Sequence, residues 1–187
     1  MTHTDKKNKS PAVFLDRDGV LNASIVRDGK PYPPHTISEL FIFPEIDEYL
    51  QTLKTAGFYL ICVTNQPDVA RGAARKADVE AMNQVLMDSL PLDAIRVCYH
   101  DDGDQCDCRK PLPGLLTAAA DDFGIHLEKS FMIGDRWRDI EAGQRAGCQT
   151  VWIQNGYREK APDHPADFVT DTTVTALQWV LNQVSHS

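Results

Sequence analysis

Short continuous apolar runs alternate along the chain with stretches in which apolar residues recur every three or four positions. Ala12-Val13-Phe14-Leu15 breaks abruptly into Asp16-Arg17-Asp18-Gly19, as a fully buried strand with polar residues at its carboxyl end would. Phe58 to Val63 has the same character and ends in Thr64-Asn65-Gln66-Pro67; Ala94–Cys98, Phe131-Met132-Ile133 and Thr150 to Ile153 supply three more strands. Between them Ile46, Tyr49, Leu50 and Leu53 keep helical spacing up to Gly57. Val79, Met82, Val85 and Leu86 form the next helical face, then Leu115, Leu116, Ala119 and Phe123 up to Gly124, then Trp137, Ile140 and Ala146 up to Gly147. Val174, Leu177, Leu181 and Val184 predict a closing amphipathic helix, and Gly29, Pro31, Pro33 and Pro34 predict a loop over 23–36.

Strands alternating with helices predict an α/β fold, a doubly wound and mostly parallel sheet. Ligands of such sheets bind outside the carboxyl ends of the strands. The polar clusters lie at those ends: Asp16 and Asp18, Thr64 and Asn65, Lys110, and Asp135 after Phe131-Met132-Ile133-Gly134. Acids gathered at one sheet edge repel unless a cation joins them, and oxygen-only ligands suit Mg²⁺. A Mg²⁺ held beside a lysine and backbone amides is a receptacle for a phosphoryl group.

The chain has 187 residues, enough for a single domain over 11–187 preceded by a disordered polar lead-in over 1–10. Its 19 Lys and Arg against 27 Asp and Glu give a net charge of -8, which argues against nucleic-acid backbone binding. The chain shows neither a membrane-length apolar run nor, over Met1 to Ser10, a signal-peptide core; a cytoplasmic protein with no membrane partner is expected.

Five cysteines do not suit a fully paired disulfide framework. Cys62 and Cys148 sit among apolar neighbours and read as small buried hydrophobes. Cys98, His100, Cys106 and Cys108 form the ligand set of a closed tetrahedral Zn²⁺ site. Four protein ligands leave no position for water, so this zinc is structural: it would order the loop 98–108 and fix the direction of Arg109 and Lys110.

Val13 to Val20, Val63-Thr64-Asn65-Gln66, Cys108-Arg109-Lys110-Pro111 and Gly134-Asp135-Arg136 resemble the four ordered motifs of the haloacid dehalogenase-like (HAD) phosphohydrolases. The chain is most similar to their heptose bisphosphate and histidinol-phosphate phosphatase group, over roughly residues 11 to 155. The resemblance implies a Rossmann-like fold without a large cap domain, and a monomer that acts on a small phosphorylated sugar. It implies Asp16 as nucleophile, forming an aspartyl phosphate, and Asp18 as general acid and base. Thr64 and Lys110 would hold the transferring oxygens. Asp16, Asp135 and the backbone carbonyl of Asp18 would bind Mg²⁺. Asp139 is left with two roles, a partner of the metal shell or an acid facing a helix N-terminus.

Arg109 and Arg136 are candidates to reach a second anionic group, and Asn65 and Gln66 to hydrogen-bond hydroxyls, so a sugar bisphosphate leads. The chain departs from the group at Pro67, where a serine is common, at Arg136, where a lysine is common, and in its long, proline-rich stretch Ala23 to Pro34. Histidinol phosphate is the alternative substrate, and a catalytically dead, zinc-stabilised binding module the alternative class. A polynucleotide 3′-phosphatase shares the motifs, but the acidic balance disfavours it.

Overall fold

The computed structural model describes residues 9–184. Of the lead-in, residues 1–8 lie outside the described residues, whereas Ser10 already pairs with Ile125. Six parallel strands form one sheet in the order β5-β4-β1-β6-β7-β8. The strands are β1 (Ala12–Leu15), β4 (Tyr59–Asn65), β5 (Ala94–Cys98), β6 (Phe131–Gly134), β7 (Gln149–Ile153) and β8 (Phe168–Thr170). A separate antiparallel hairpin joins β2 (Ile25–Arg27) to β3 (Lys30–Tyr32).

The central strand β1 is apolar throughout because both its faces are covered. Val13 and Leu15 face a core that also takes Leu50 and Leu53 of α1 (Asp47–Thr55), Leu86 of α2 (Lys76–Ser89) and Leu177 of α5 (Thr173–Val184). Ala12 and Phe14 face the opposite core, with Leu116 and Ala119 of α3 (Gly114–Phe123) and Ala142 of α4 (Trp137–Ala146). Strand order reverses at β1: the chain winds outward to β4 and β5, then crosses back to β6. That reversal opens a crevice beside the carboxyl end of β1.

The register decides what meets there. Leu15 lies level with Cys62 and Ile133, so Asp16 emerges beside the ends of β4 and β6. Asn65 lies level with Cys98, which sets the cysteine-rich loop next to the crevice.

Two elements differ from the sequence pattern. Where the prolines predict a loop, residues 25–32 form a hairpin whose turn residues Asp28 and Gly29 have φ of 51° and 74°. Two successive positive φ values are the geometry of a two-residue hairpin turn, which favours Asp-Gly. The edge strand β8 is three residues long and half exposed, too short and too polar in setting to show an apolar run.

Candidate active site

Asp16 is the first residue after β1, and its backbone N–H donates to Ile133 O at 3.0 Å. Thr64 and Asn65 end β4, Asp135 follows β6, and Asp139 lies in the first turn of α4. Lys110 reaches the same point from the loop between β5 and α3 and is 2% exposed. Its Nζ donates to Asp16 Oδ1, Asp139 Oδ1 and Val63 O, each at 2.7 Å. An ammonium has three protons, and all three are taken up.

Asn65 and Gln66 serve partners other than the substrate hydroxyls expected for them. Asn65 Nδ2 donates to Lys110 O at 2.9 Å and its Oδ1 accepts from Lys110 N at 3.1 Å, so the amide positions the lysine's main chain. Gln66 is buried, with Nε2 donating to Asp18 Oδ2 at 2.9 Å and to Thr64 Oγ1 at 3.0 Å. Accepting from Gln66 leaves the Thr64 hydroxyl proton free to donate into the cleft.

Of the two roles left open for Asp139, its contacts show the acid at a helix N-terminus. Oδ1 binds Lys110, while Oδ2 accepts from Arg136 N at 3.0 Å and caps α4. Asp135 is equally buried. Its Oδ2 accepts from Tyr157 Oη at 2.8 Å and from Asn155 Nδ2 at 3.2 Å, but its buried Oδ1 has no partner. Gly19, at φ of 91°, passes so close that a Cβ there would lie 1.8 Å from Asp135 Oδ2.

Carboxylate oxygens of Asp16, Asp135 and Asp139 lie within 4.8 Å of one another. Burial, then repulsion by Asp139, pushes Asp16 up to about 6, against the pull of Lys110. Burial and repulsion from Asp16 and Asp139 raise Asp135 well above the carboxylate range. Burial disfavours the Lys110 ammonium, yet attraction to Asp139 and Asp16 outweighs it and raises the lysine's pKa. Three carboxylates thus face one ammonium in a dry place, a surplus of negative charge that a divalent cation would neutralise. The orphaned Asp135 Oδ1 is an oxygen ligand ready for it, so the residues fit Mg²⁺.

Asp18 is enclosed by donors. Arg17 grips it with Nε to Oδ1 at 3.1 Å and Nη2 to Oδ2 at 3.0 Å, and Asn22 Nδ2 adds a bond to Oδ1 at 3.0 Å beside the Gln66 contact. Arg17 is completely buried and donates its remaining arm to Asn83 of α2 at 3.0 Å. Asp16, Asp18, Thr64 and Lys110 all line one cleft of about 260 Å³.

The rim is built from ion pairs. Arg109, expected at a second anionic group, turns instead into the cysteine-rich loop, with Nε on Asp102 Oδ1 at 2.8 Å and Nη1 on His100 O at 3.3 Å. Arg136 does line the cleft, but its guanidinium is clamped on Glu159, with Nε to Oε2 at 2.9 Å. In the loop itself Cys98 Sγ lies 3.2 Å from Cys108 Sγ and 3.8 Å from Cys106 Sγ, and His100 Nδ1 lies 3.3 Å from Cys108 Sγ. The Cys98–Cys106 separation is that of two thiolates each about 2.3 Å from one ion, and all four donor atoms lie within 4.8 Å of one another, so the four groups fit Zn²⁺.

The sequence pattern passes over Arg17, Asn22, Asn155, Tyr157 and Glu159. Asn155 and Tyr157 follow the carboxyl end of β7 and would be found by the strand-end rule alone. Arg17 carries no such signal, since a charged residue between two acids looks like a turn.

Comparison with known proteins agrees with this geometry. Residues 107–177 match the HAD-hydrolase-like family model. The D-glycero-beta-D-manno-heptose-1,7-bisphosphate 7-phosphatase of Helicobacter pylori is 40% identical over 157 residues, covering 79% of this chain and 87% of that protein. The Escherichia coli enzyme of the same name is 34% identical over 188 residues, covering 94% and 90%. The crystal structure of the D,D-heptose 1,7-bisphosphate phosphatase from B. bronchiseptica, complexed with magnesium and phosphate, superposes with a TM-score of 0.77 at 28% identity, covering 92% and 99%. On fold, site geometry and kinship together, the chain belongs to the heptose bisphosphate phosphatases of the HAD-like hydrolases.

Proposed function

We propose that this protein is a Mg²⁺-dependent phosphatase that removes the 7-phosphate of D-glycero-D-manno-heptose 1,7-bisphosphate through an aspartyl-phosphate intermediate. The observation that carries the reading is the buried trio Asp16, Asp135 and Asp139 around Lys110, with one Asp135 oxygen unpartnered. The names of the relatives favour the heptose over histidinol phosphate, and an enzyme over a binding module.

Asp16 and Asp135, with the main-chain carbonyl of Asp18, would hold Mg²⁺. When bound, the ion neutralises the carboxylates and draws charge from the phosphoryl oxygens. Lys110 fixes Asp16 by Oδ1, leaving Oδ2 to attack phosphorus; the bond from phosphorus to the sugar oxygen breaks. Thr64 donates its hydroxyl to a phosphoryl oxygen. Lys110 contributes its charge, and gives an N–H to the phosphoryl group only by trading one of its three present bonds.

Asp18 protonates the leaving alkoxide. Arg17, Asn22 and Gln66 hold it in this structure, so it acts by turning out of that enclosure into the cleft it lines. In the second half Asp18 takes a proton from water, the water oxygen bonds to phosphorus, and the Asp16–phosphorus bond breaks to release phosphate.

The closed set Cys98, His100, Cys106 and Cys108 would hold a structural Zn²⁺ that folds 98–108. None of the five cysteines is in a disulfide, which suits a reducing compartment such as the cytoplasm.

Phosphate release should be measured over heptose 1,7-bisphosphate, hexose phosphates and histidinol phosphate, with Mg²⁺ and with a chelator. The reading requires fastest turnover of the heptose bisphosphate and loss of activity on chelation. Fastest release from histidinol phosphate would overturn the substrate, and no release from any of them would overturn the enzyme.

A further inference from the structure

The two arginines expected to read a second phosphate are both committed to carboxylates, Arg109 outside the cleft and Arg136 on its wall. Arg71 and Arg138 also line the cleft, but they pair with Asp101 and Asp102 respectively. Lys30 and Arg158 line the same cleft, and among the described residues neither side chain has an ion pair or hydrogen bond.

Their placement is built. Lys30 opens β3, directly after the Asp28-Gly29 turn. Arg158 N donates to Gly29 O at 2.8 Å, which fastens the segment after β7 to the hairpin tip. The Arg158 stem lies across Gly29, with Cγ and Cδ 2.8 Å and 2.9 Å from where a Cβ would stand. A side chain at 29 would displace it, and the φ of 74° already favours glycine. Hairpin and segment thus bring two cations without an ion pair to the lining of the same cleft. A phosphate dianion held there supplies acceptors for a guanidinium fork and an ammonium.

We propose that Lys30 and Arg158 form the subsite for the phosphate that is not cleaved, and so select a sugar bisphosphate over a monophosphate. The inference rests on the phosphatase reading above and assigns its selectivity to the hairpin and not to Arg109. It also accounts for the long Ala23 to Pro34 stretch, since in place of a cap domain a hairpin carries one cation and props up the other.

The test compares heptose 1,7-bisphosphate with heptose 7-phosphate, which keeps the scissile ester and lacks the distal phosphate. Steady-state kinetics are run on the wild type, Lys30→Ala, Arg158→Ala, the double variant and Arg109→Ala. The sites are exposed, so the variants should fold. The double variant should raise KM for the bisphosphate roughly ten- to a hundredfold with kcat held, and change the monophosphate by less than about threefold. Arg109→Ala should leave the ratio between the two substrates unchanged. Equal losses on both substrates, or a loss of selectivity in Arg109→Ala alone, would overturn the subsite while leaving the phosphatase reading intact. A wild type that cleaves p-nitrophenyl phosphate but not the bisphosphate would overturn the substrate reading and the subsite with it.

Discussion

The floor and the rim of the cleft are held in place by different physics. On the floor, Asp16, Asp135, Asp139 and Lys110 are nearly water-free and stand at the ends of buried parallel strands. Removing one partner from such a set strands a buried charge, at a cost of about 3–5 kcal/mol. On the rim, Arg109 and Arg138 are steered by the exposed carboxylate of Asp102 and Arg136 by the half-buried one of Glu159; pairs that solvent reaches, as it reaches Asp102, are worth about 0–1 kcal/mol. Chemistry is therefore fixed by the fold, whereas selectivity rests on contacts that can be rearranged without unfolding the sheet. The same contrast explains how a chain without a large cap can keep one reaction and change its substrate.

The largest expected effect is on the floor. Asp16→Asn should lower turnover by at least roughly 10³-fold on every substrate, since the covalent route needs that carboxylate. Near-normal turnover by a preparation free of contaminants would rule out Asp16 as the nucleophile.

Asp18→Asn should separate substrates by leaving group. A sugar alkoxide needs the proton, worth about 10²- to 10⁴-fold, and nitrophenolate does not. Equal losses on both would mean that Asp18 is not the acid of the first step.

Metal should matter to stability as well as to rate. Without Mg²⁺ the folded Asp16 titrates at about 6 against an ordinary 3.8, so the unfolded state holds fewer protons between those values. This carboxyl then contributes a loss of stability as pH rises from about 4 to 6. Melting curves should show Mg²⁺ raising Tm more at pH 7.5 than at pH 5; an equal shift at both would contradict the charge surplus on the floor.

The loop 98–108 tests whether floor and rim are separable. Cys106→Ser/Cys108→Ser should lose bound zinc, measured by elemental analysis, and raise KM, while circular dichroism of the sheet and helices persists. Global unfolding of that variant would show that the loop supports the core. The smallest effect belongs to Arg109→Ala, a change of less than about threefold on a small aryl phosphate, because its guanidinium faces Asp102.

How much of this the sequence shows follows the same division. Strands such as Ala12–Leu15 are apolar end to end because they are buried on both faces, and the polar break after each one marks the crevice. Asp16, Thr64, Lys110 and Asp135 are legible for that reason. Direction is not legible: residue type says that Asn65, Gln66 and Arg109 can donate, but only packing shows that they donate to Lys110, Asp18 and Asp102. The hairpin is hidden because Pro31, Pro33 and Pro34 outweigh the Asp28-Gly29 turn, and with it the setting of Lys30.

The central claim is that Asp16 carries the phosphoryl group, and it can be observed directly. Enzyme mixed with heptose 1,7-bisphosphate and Mg²⁺, quenched in acid within a turnover and digested, should yield a phosphorylated peptide whose modified residue is Asp16. The same peptide from Asp16→Asn should be unmodified. Phosphate release by the wild type with no phosphorylated Asp16 at any time of quenching would contradict the covalent mechanism.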